Sequence, residues 1–481
     1  MFDVGPWTSV HGSVALSAAI VVVLLAGCAG EPPLPEPEKP ANIVILFADD
    51  LGYGSVSWTG GDIATPNIDS IVENGVGFTA GYMTAPVCNP SRHGLMTGRY
   101  QQRWGKEMNS QTVPPLGSPT SGSLPLAETT MATALKQRGY ATAAVGKWQL
   151  GMAKGYHPLD RGFDSFLGMA SGHRYVEADW PNARFAPGHE QASQATAGPR
   201  QFFEGREETP FDEYLTDKLG GRGVEFIDEH KDEPFFLYLA FHAPHTPIQT
   251  IDRYYDMVPQ FEDETLRVYA GMITAVDHWV GEVLAKLRQH GLEENTLVLF
   301  ASDNGAAAPA DVDGRRNHPL LGNKRNLYGG GIRVPYAMQW KGRIPGGQHY
   351  EHPVSSMDMF PTAIAAARGE ALGNLDGVNL LPYLNGSAQG APHEHLVWRS
   401  GHNGAVRKGP WKLLVSGDEL VRLYNVEDDI GESNDLSAQN PEVVEEMKKI
   451  FIEWTKDKDD PRESARKVKT KFNGDIIDWH I

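Results

Sequence analysis

Cysteine is nearly absent from this chain: Cys28 and Cys88 are the only two in 481 residues. Two thiols cannot build a disulfide framework, so each has to be explained by its own local sequence. The apolar run that ends at the first, VALSAAIVVVLLAGC, falls short of the roughly 18 residues of a spanning helix. It has the length of a signal peptide instead. Basic charge is also scarce. With 43 Lys and Arg against 61 Asp and Glu the formal charge is −18, which excludes nucleic acid or an anionic membrane surface as a general partner. An anionic substrate would have to be met by a local basic pocket. No internal repeat is evident. Residues 1–13 hold neither Lys nor Arg, only His11 and the terminal amine, so a signal peptide here has a weak positive end.

What is present reads as globular, with 41% hydrophobic and 22% charged residues. The length predicts one large domain with a smaller companion. From residue 41 short continuous apolar runs at 43–47, 141–145, 235–241 and 297–300 alternate with helical stretches, the pattern of a buried parallel sheet. In 261–290, Leu266, Tyr269, Ile273, Val276, Val280, Val283 and Leu287 recur at three- and four-residue spacing before Gly291, which predicts an amphipathic crossover helix. The fold class is therefore α/β with a doubly wound sheet, whose ligands gather beyond the carboxyl ends of the strands. Those ends carry Asp49-Asp50, Gly146-Lys147-Trp148, His242 through His245, and Asp303-Asn304. One polar residue after a strand is usually a turn former or helix cap; this many together point to a site. The segments HLVWRS, GAVRKGPWKLLVS and ELVRLYNVEDD predict antiparallel strands, followed by a charged helix from Pro441 to about Lys456. The polar stretch 179–210 lacks periodicity and reads as a surface excursion near the pocket.

The stretch APVCNPSRHGLMTGR, with Cys88-Asn89-Pro90-Ser91-Arg92 at its centre, resembles the C-x-P-x-R signature of type I sulfatases in the alkaline phosphatase superfamily. The resemblance extends through GKWQLG, YLTD at 214–217, APHTP, PLLGNKRNLYGGGIRVP, RKGPWKLL and LYNVEDD. It implies an alkaline-phosphatase-like mixed sheet flanked by helices, with a smaller C-terminal antiparallel sheet and helix. It also implies that a formylglycine-generating enzyme oxidises Cys88 to formylglycine, whose hydrated aldehyde attacks sulfur. By the same resemblance Arg92 stabilises the nucleophile, Lys147, His245 and Lys324 contact the sulfate, and Asp49, Asp50, Asp303 and Asn304 hold calcium together with residue 88. An all-oxygen donor set suits a hard cation, with magnesium as the alternative. The substrate implied is a sulfated carbohydrate. His173 and Arg174 in SGHRYV are candidates for glycan contacts, and Gln149, His242 and His318 for further substrate binding.

Leu25-Ala26-Gly27-Cys28 resembles a bacterial lipobox, which implies cleavage before Cys28, lipidation of that residue, and export to the periplasm or cell surface as an outer-membrane lipoprotein. The expected division is 1–27 signal peptide, 28–40 Pro/Glu-rich tether, 41–370 catalytic domain and 371–481 C-terminal subdomain. Two departures stand out. Gln149 occupies the place of the histidine in GKWHLG and cannot take a proton near neutrality; His242, His173 or His318 could substitute. Gly329 stands where Y-E-G-G carries glutamate, removing a structural carboxylate. The rival readings are a phosphonate or phosphate diester hydrolase of the same superfamily, and a receptor that holds sulfated glycans without cleaving them.

Overall fold

The computed structural model describes Gly5 and residues 39–109, 122–177, 179–190, 202–210, 212–308, 314–370, 372–417 and 420–462, and by backbone alone the strands Lys467–Phe472 and Asp475–His480. The signal-peptide and lipobox readings, Cys28 included, lie outside the described residues, as does the tether up to residue 38. Every described residue except Gly5 falls in one compact unit, Leu34–Ile481.

Asn42–Ala48 is the axis of the molecule. All of its residues are buried, and successive side chains enter opposite layers, Val44, Leu46 and Ala48 on one side and Ile43, Ile45 and Phe47 on the other. Burial on both faces explains why this strand reads as an unbroken apolar run. It pairs in parallel with Thr296–Ser302 and Phe235–Ala240; beyond the latter lie Ala141–Lys147 and Ser165–Met169, again parallel. Antiparallel strands at both flanks extend this to a mixed sheet of ten strands. On one face lies the helix Glu264–Gln289, capped where the Asp263 side chain accepts from Leu266 N, with Leu215–Glu229 beside it. Met131–Lys136 and Met359–Ala366 cover the other.

The second sheet, Leu396–Ser400, Asn403–Lys408, Trp411–Ser416 and Leu420–Asn425, is antiparallel throughout. Its side chains alternate with period two. Leu396, Trp398, Ala405, Leu414 and Tyr424 pack against Tyr82, Leu327 and Tyr328 of the larger body. Val397, Val406, Leu413 and Leu423 face Val444 and Met447 of the helix Pro441–Thr455. The excursion 179–210 is not structureless where described. Ala183–Phe185 pairs with Gln249–Ile251, and Phe202–Glu204 adds to the edge of the main sheet. Among the described residues no helix is long and apolar enough to cross a membrane.

Candidate active site

The parallel strands end on one edge, and their final residues converge there. Asp49 and Asp50 follow Asn42–Ala48 and are buried, Asp50 with a left-handed φ of 64°. Lys147 ends its strand because Gly146 takes a φ of 109° with its Cα pressed on the neighbouring strand, where a Cβ would lie 1.9 Å from Ala240 O. Asp303 and Asn304 follow Thr296–Ser302, fully buried. Cys88 opens the helix Cys88–Thr97, every residue of which is buried, and Gly98 closes it with a φ of 66°. The first-turn amides and the helix dipole there favour negative charge.

Three buried carboxylates, Asp49, Asp50 and Asp303, are matched by Lys147, Lys324 and Arg92. Lys147 Nζ lies 2.5 Å from Asp49 Oδ2. Lys324 Nζ bridges Asp50 Oδ1 at 2.6 Å and Cys88 Sγ at 3.1 Å. Arg92 donates through Nε and Nη2 to Asp303 Oδ2 at 3.0 and 2.8 Å, and through Nη1 to the Lys147 carbonyl at 2.8 Å and Tyr238 Oη at 3.2 Å. Its hydrogen bonds therefore run to Asp303, Lys147 and Tyr238, and what it brings to residue 88 is charge. Burial works against ionising these carboxylates, yet Lys147 holds Asp49 well below the usual range and Lys324 lowers Asp50. Asp303 goes the other way: burial and the charge of Asp49 push it up to about 7 despite Arg92. Burial likewise raises the Cys88 thiol to about 11, so as a sulfur nucleophile it would be weak at neutral pH.

His242 and His245 stack at 4.8 Å but do different work. His242 Nδ1 donates to Asp49 Oδ2 at 2.9 Å, while Nε2 accepts the His173 N–H at 3.1 Å, so both ring nitrogens are committed and one neutral tautomer is fixed. Burial keeps this ring neutral, its pKa lowered to about 3. His245 Nδ1 donates to Thr246 O at 2.6 Å, which leaves Nε2 facing the pocket 3.7 Å from Asp50 Oδ2.

The structure thus brings Asp49, Asp50, Cys88, Arg92, Lys147, His242, His245, Asp303, Asn304 and Lys324 together. His173 does not face outward: it is 4% exposed, and its Nδ1 meets Arg174 O at 2.8 Å. Arg174 pairs with Glu177. His318 is exposed, on the turn packed against Gly54. Gln149 lies beside the Cys88 helix with a left-handed φ of 58°; its carbonyl accepts Asn89 Nδ2 at 2.5 Å and its Oε1 is buried without a partner. Sequence reasoning missed Tyr175, which stacks on His242 at 5.1 Å and 6° and hydrogen-bonds the carbonyls of His242 and His245. It also missed Tyr238, whose only sign was its place in an apolar strand.

Asp49, Asp50, Cys88 and His245 each offer a ligand atom within 4.8 Å of the others. Asp49 Oδ1 and Asn304 Oδ1 are buried oxygens without a hydrogen-bond partner, a costly state that a cation would relieve. Asp49, Asp50 and Asn304, with Asp303 Oδ1 adjoining through the Asp50 N–H at 3.2 Å, offer oxygen alone and suit a hard cation, whereas the Cys88 sulfur and the His245 nitrogen are softer donors. A divalent ion would also leave the pocket net positive, the balance an anionic substrate requires.

A family model described as Sulfatase matches residues 41–369. The chain is similar to the uncharacterized sulfatase YdeN of Escherichia coli K12, 29% identical over 90% of this chain and 88% of that one. It is similar to the steryl-sulfatase of Mus musculus, 32% identical over 80% of this chain and 71% of that one. Among solved structures it resembles Ps i-CgsB, at 34% identity and a TM-score of 0.79 over 88% of this chain and 94% of that one. The same protein in complex with k-i-k-neocarrahexaose matches at 33% identity and a TM-score of 0.78.

Proposed function

The chain belongs to the sulfatase family and is a sulfuric ester hydrolase, and we propose that it releases sulfate from a sulfated oligosaccharide, with Cys88 converted to formylglycine and calcium held by Asp49, Asp50, Asp303 and Asn304 with residue 88. One observation carries this reading: Lys324 Nζ lies between Asp50 and the Cys88 side chain, 3.1 Å from Sγ, at the amino end of a buried helix. A carbohydrate substrate is favoured by the match to a structure holding neocarrahexaose.

Formylglycine would supply a hydrated aldehyde whose hydroxyl attacks sulfur, and calcium would supply charge against the sulfate oxygens. The chain's own residues do the rest. Lys147 and Lys324, each on a carboxylate at the pocket, are the cations placed to meet the substrate sulfate. His245 presents Nε2 to the pocket; with its Nδ1 proton held by Thr246 O, that nitrogen can pass a proton to the leaving oxygen only from the imidazolium, which burial disfavours and the carboxylates of Asp49 and Asp50 favour. Arg92 clamps Asp303 and holds positive charge behind residue 88. His242 fixes Asp49 and ties the 171–176 loop to the site. Gln149, with a free buried oxygen and no titratable proton, can orient a group but not act as the acid.

Cys88→Ala should abolish sulfate release from every substrate, k-i-k-neocarrahexaose included, with the circular dichroism of the parent retained. Turnover by that variant would sink the proposal. Export with lipid on Cys28 is a further part of this reading, and radiolabelled fatty acid should mark the parent but not Cys28→Ala.

A further inference from the structure

Asn109 is exposed at the rim of the pocket, yet its amide is fixed in orientation. Its Oδ1 accepts the backbone N–H of Asn89 at 2.9 Å, and Nδ2 lies 3.8 Å from Cys88 Sγ. The Asn89 N–H can only donate, so the amide oxygen must face it and the amide donor must face residue 88. The segment bearing Asn109 is anchored from the second sheet. Glu107, fully buried, accepts from Arg399 Nε at 2.7 Å and from Gly401 N at 2.8 Å. Ser400 Oγ lies 3.7 Å from Met108 Sδ, and Gln102 Nε2 donates to Arg399 O at 3.1 Å. Residue 88 is thus met by Lys324 and by a neutral amide whose place is set by the strand Leu396–Ser400.

We propose that Asn109 is a further catalytic residue, a neutral hydrogen-bond donor to the reacting group at position 88; this rests on the reading of residue 88 as the nucleophile. Cys88 Sγ stands in for the oxygen that the converted side chain would carry. A fixed donor there stabilises negative charge as it builds on the nucleophile, and an amide does so without altering the charge balance of the pocket or titrating with pH.

The same amide caps the Cys88 helix, so the test must separate donor from cap. Asn109→Ala removes both; Asn109→Asp keeps the acceptor for Asn89 N–H, in a place where a carboxylate suits a helix N-terminus, but cannot donate. Sulfate release from k-i-k-neocarrahexaose and a panel of sulfated oligosaccharides would be followed with the full chain, normalised to the converted fraction of residue 88 measured by mass spectrometry. At pH values where the new carboxylate is ionised, both variants should lose roughly 100- to 1000-fold in kcat, by the same factor throughout, while Asn109→Asp keeps the melting temperature of the parent. The new carboxylate would also repel charge building at residue 88, so the loss in kcat has to appear in Asn109→Ala, which adds no charge, as well as in Asn109→Asp. An Asn109→Asp enzyme with parental kcat would overturn the proposal and leave only the cap. A converted parent that releases no sulfate would overturn the reading of the site and the proposal with it.

Discussion

Glu432 shows how much one side chain can hold together. It is 1% exposed, adopts a left-handed φ of 51°, and divides its carboxylate between Lys412 Nζ at 2.6 Å and Gly329 N at 2.5 Å. Gly329 is where Y-E-G-G would carry glutamate, and a Cβ there would come within 3.1 Å of Glu432 Oε2. A carboxylate does stand beside this glycine, but it comes from 103 residues downstream, which no reading of the motif alone could reveal. Because Lys412 is equally buried, Glu432→Ala would strand a positive charge in the interior and should cost about 3–5 kcal/mol of unfolding free energy in urea. The double replacement Lys412→Met with Glu432→Leu should cost clearly less; equal losses would show that the pair is not what matters. Lys147 was legible as a pocket residue because motif and strand end coincide, and Lys324 through its motif alone. Tyr175 and Asn109 were not, because neither sits in a pattern and their contacts, Tyr175 with the carbonyls of His242 and His245 and Asn109 with the Asn89 N–H and residue 88, are made only in the fold.

At the scale of elements, a carboxylate on the longest helix fixes the start of another. Asp277 accepts from Asn67 N at 3.0 Å, Ile68 N at 2.8 Å and Asn67 Nδ2 at 2.9 Å, taking first-turn donors of the helix Pro66–Glu73 that have no partner within it. Asp277→Ala should destabilise the protein by about 1–3 kcal/mol and speed hydrogen exchange at the amides of residues 67 and 68; unchanged exchange there would refute the clamp. A second junction responds to pH. Asp358 accepts from Ser355 N and Val378 N, and His393 Nε2 lies 2.9 Å from both of its oxygens. Burial opposes charge on His393, but the charge and hydrogen bonds of Asp358 outweigh it and hold the imidazole above its ordinary value. A histidine whose pKa is raised by folding adds stability that is whole below about pH 6.5 and fades as the pH climbs through the folded value. The gap in melting temperature between the parent and His393→Gln should therefore be widest near pH 5.5 and small near pH 9, roughly one unit below and two to three units above the ordinary histidine value. The helix Glu264–Gln289 was legible because its apolar spacing repeats over many turns and ends at Gly291. The short strands inside 179–210 were not, since strands of three residues leave no periodicity to count.

Over the whole molecule, a formal charge of −18 surrounds a pocket where buried cations match buried carboxylates. That neutrality holds for the protein alone, and the unpartnered oxygens of Asp49 and Asn304 mark where it is incomplete. Chelation and dialysis should therefore lower the melting temperature as well as activity, and calcium should restore both, since an ion at about 100 times its dissociation constant adds about 2.7 kcal/mol. Equal restoration by magnesium would argue against the larger ion. The convergence of strand ends was readable in advance because parallel strands deliver their last residues to one edge. Which of those residues would have both ring nitrogens taken up by neighbours, as His242 has with Asp49 and the His173 amide, depended on hydrogen bonds that only the fold creates.

The side chain of Cys88 is 1% exposed, and the lysine that closes over it lies 236 residues further along the chain. Any maturing catalyst that rebuilds this thiol must reach it while the polypeptide is still emerging or unfinished, before Lys324 arrives. Folding speed then becomes a clock on maturation: a variant that collapses sooner would leave a larger share of molecules permanently inert, with native shape and nothing wrong in any other residue.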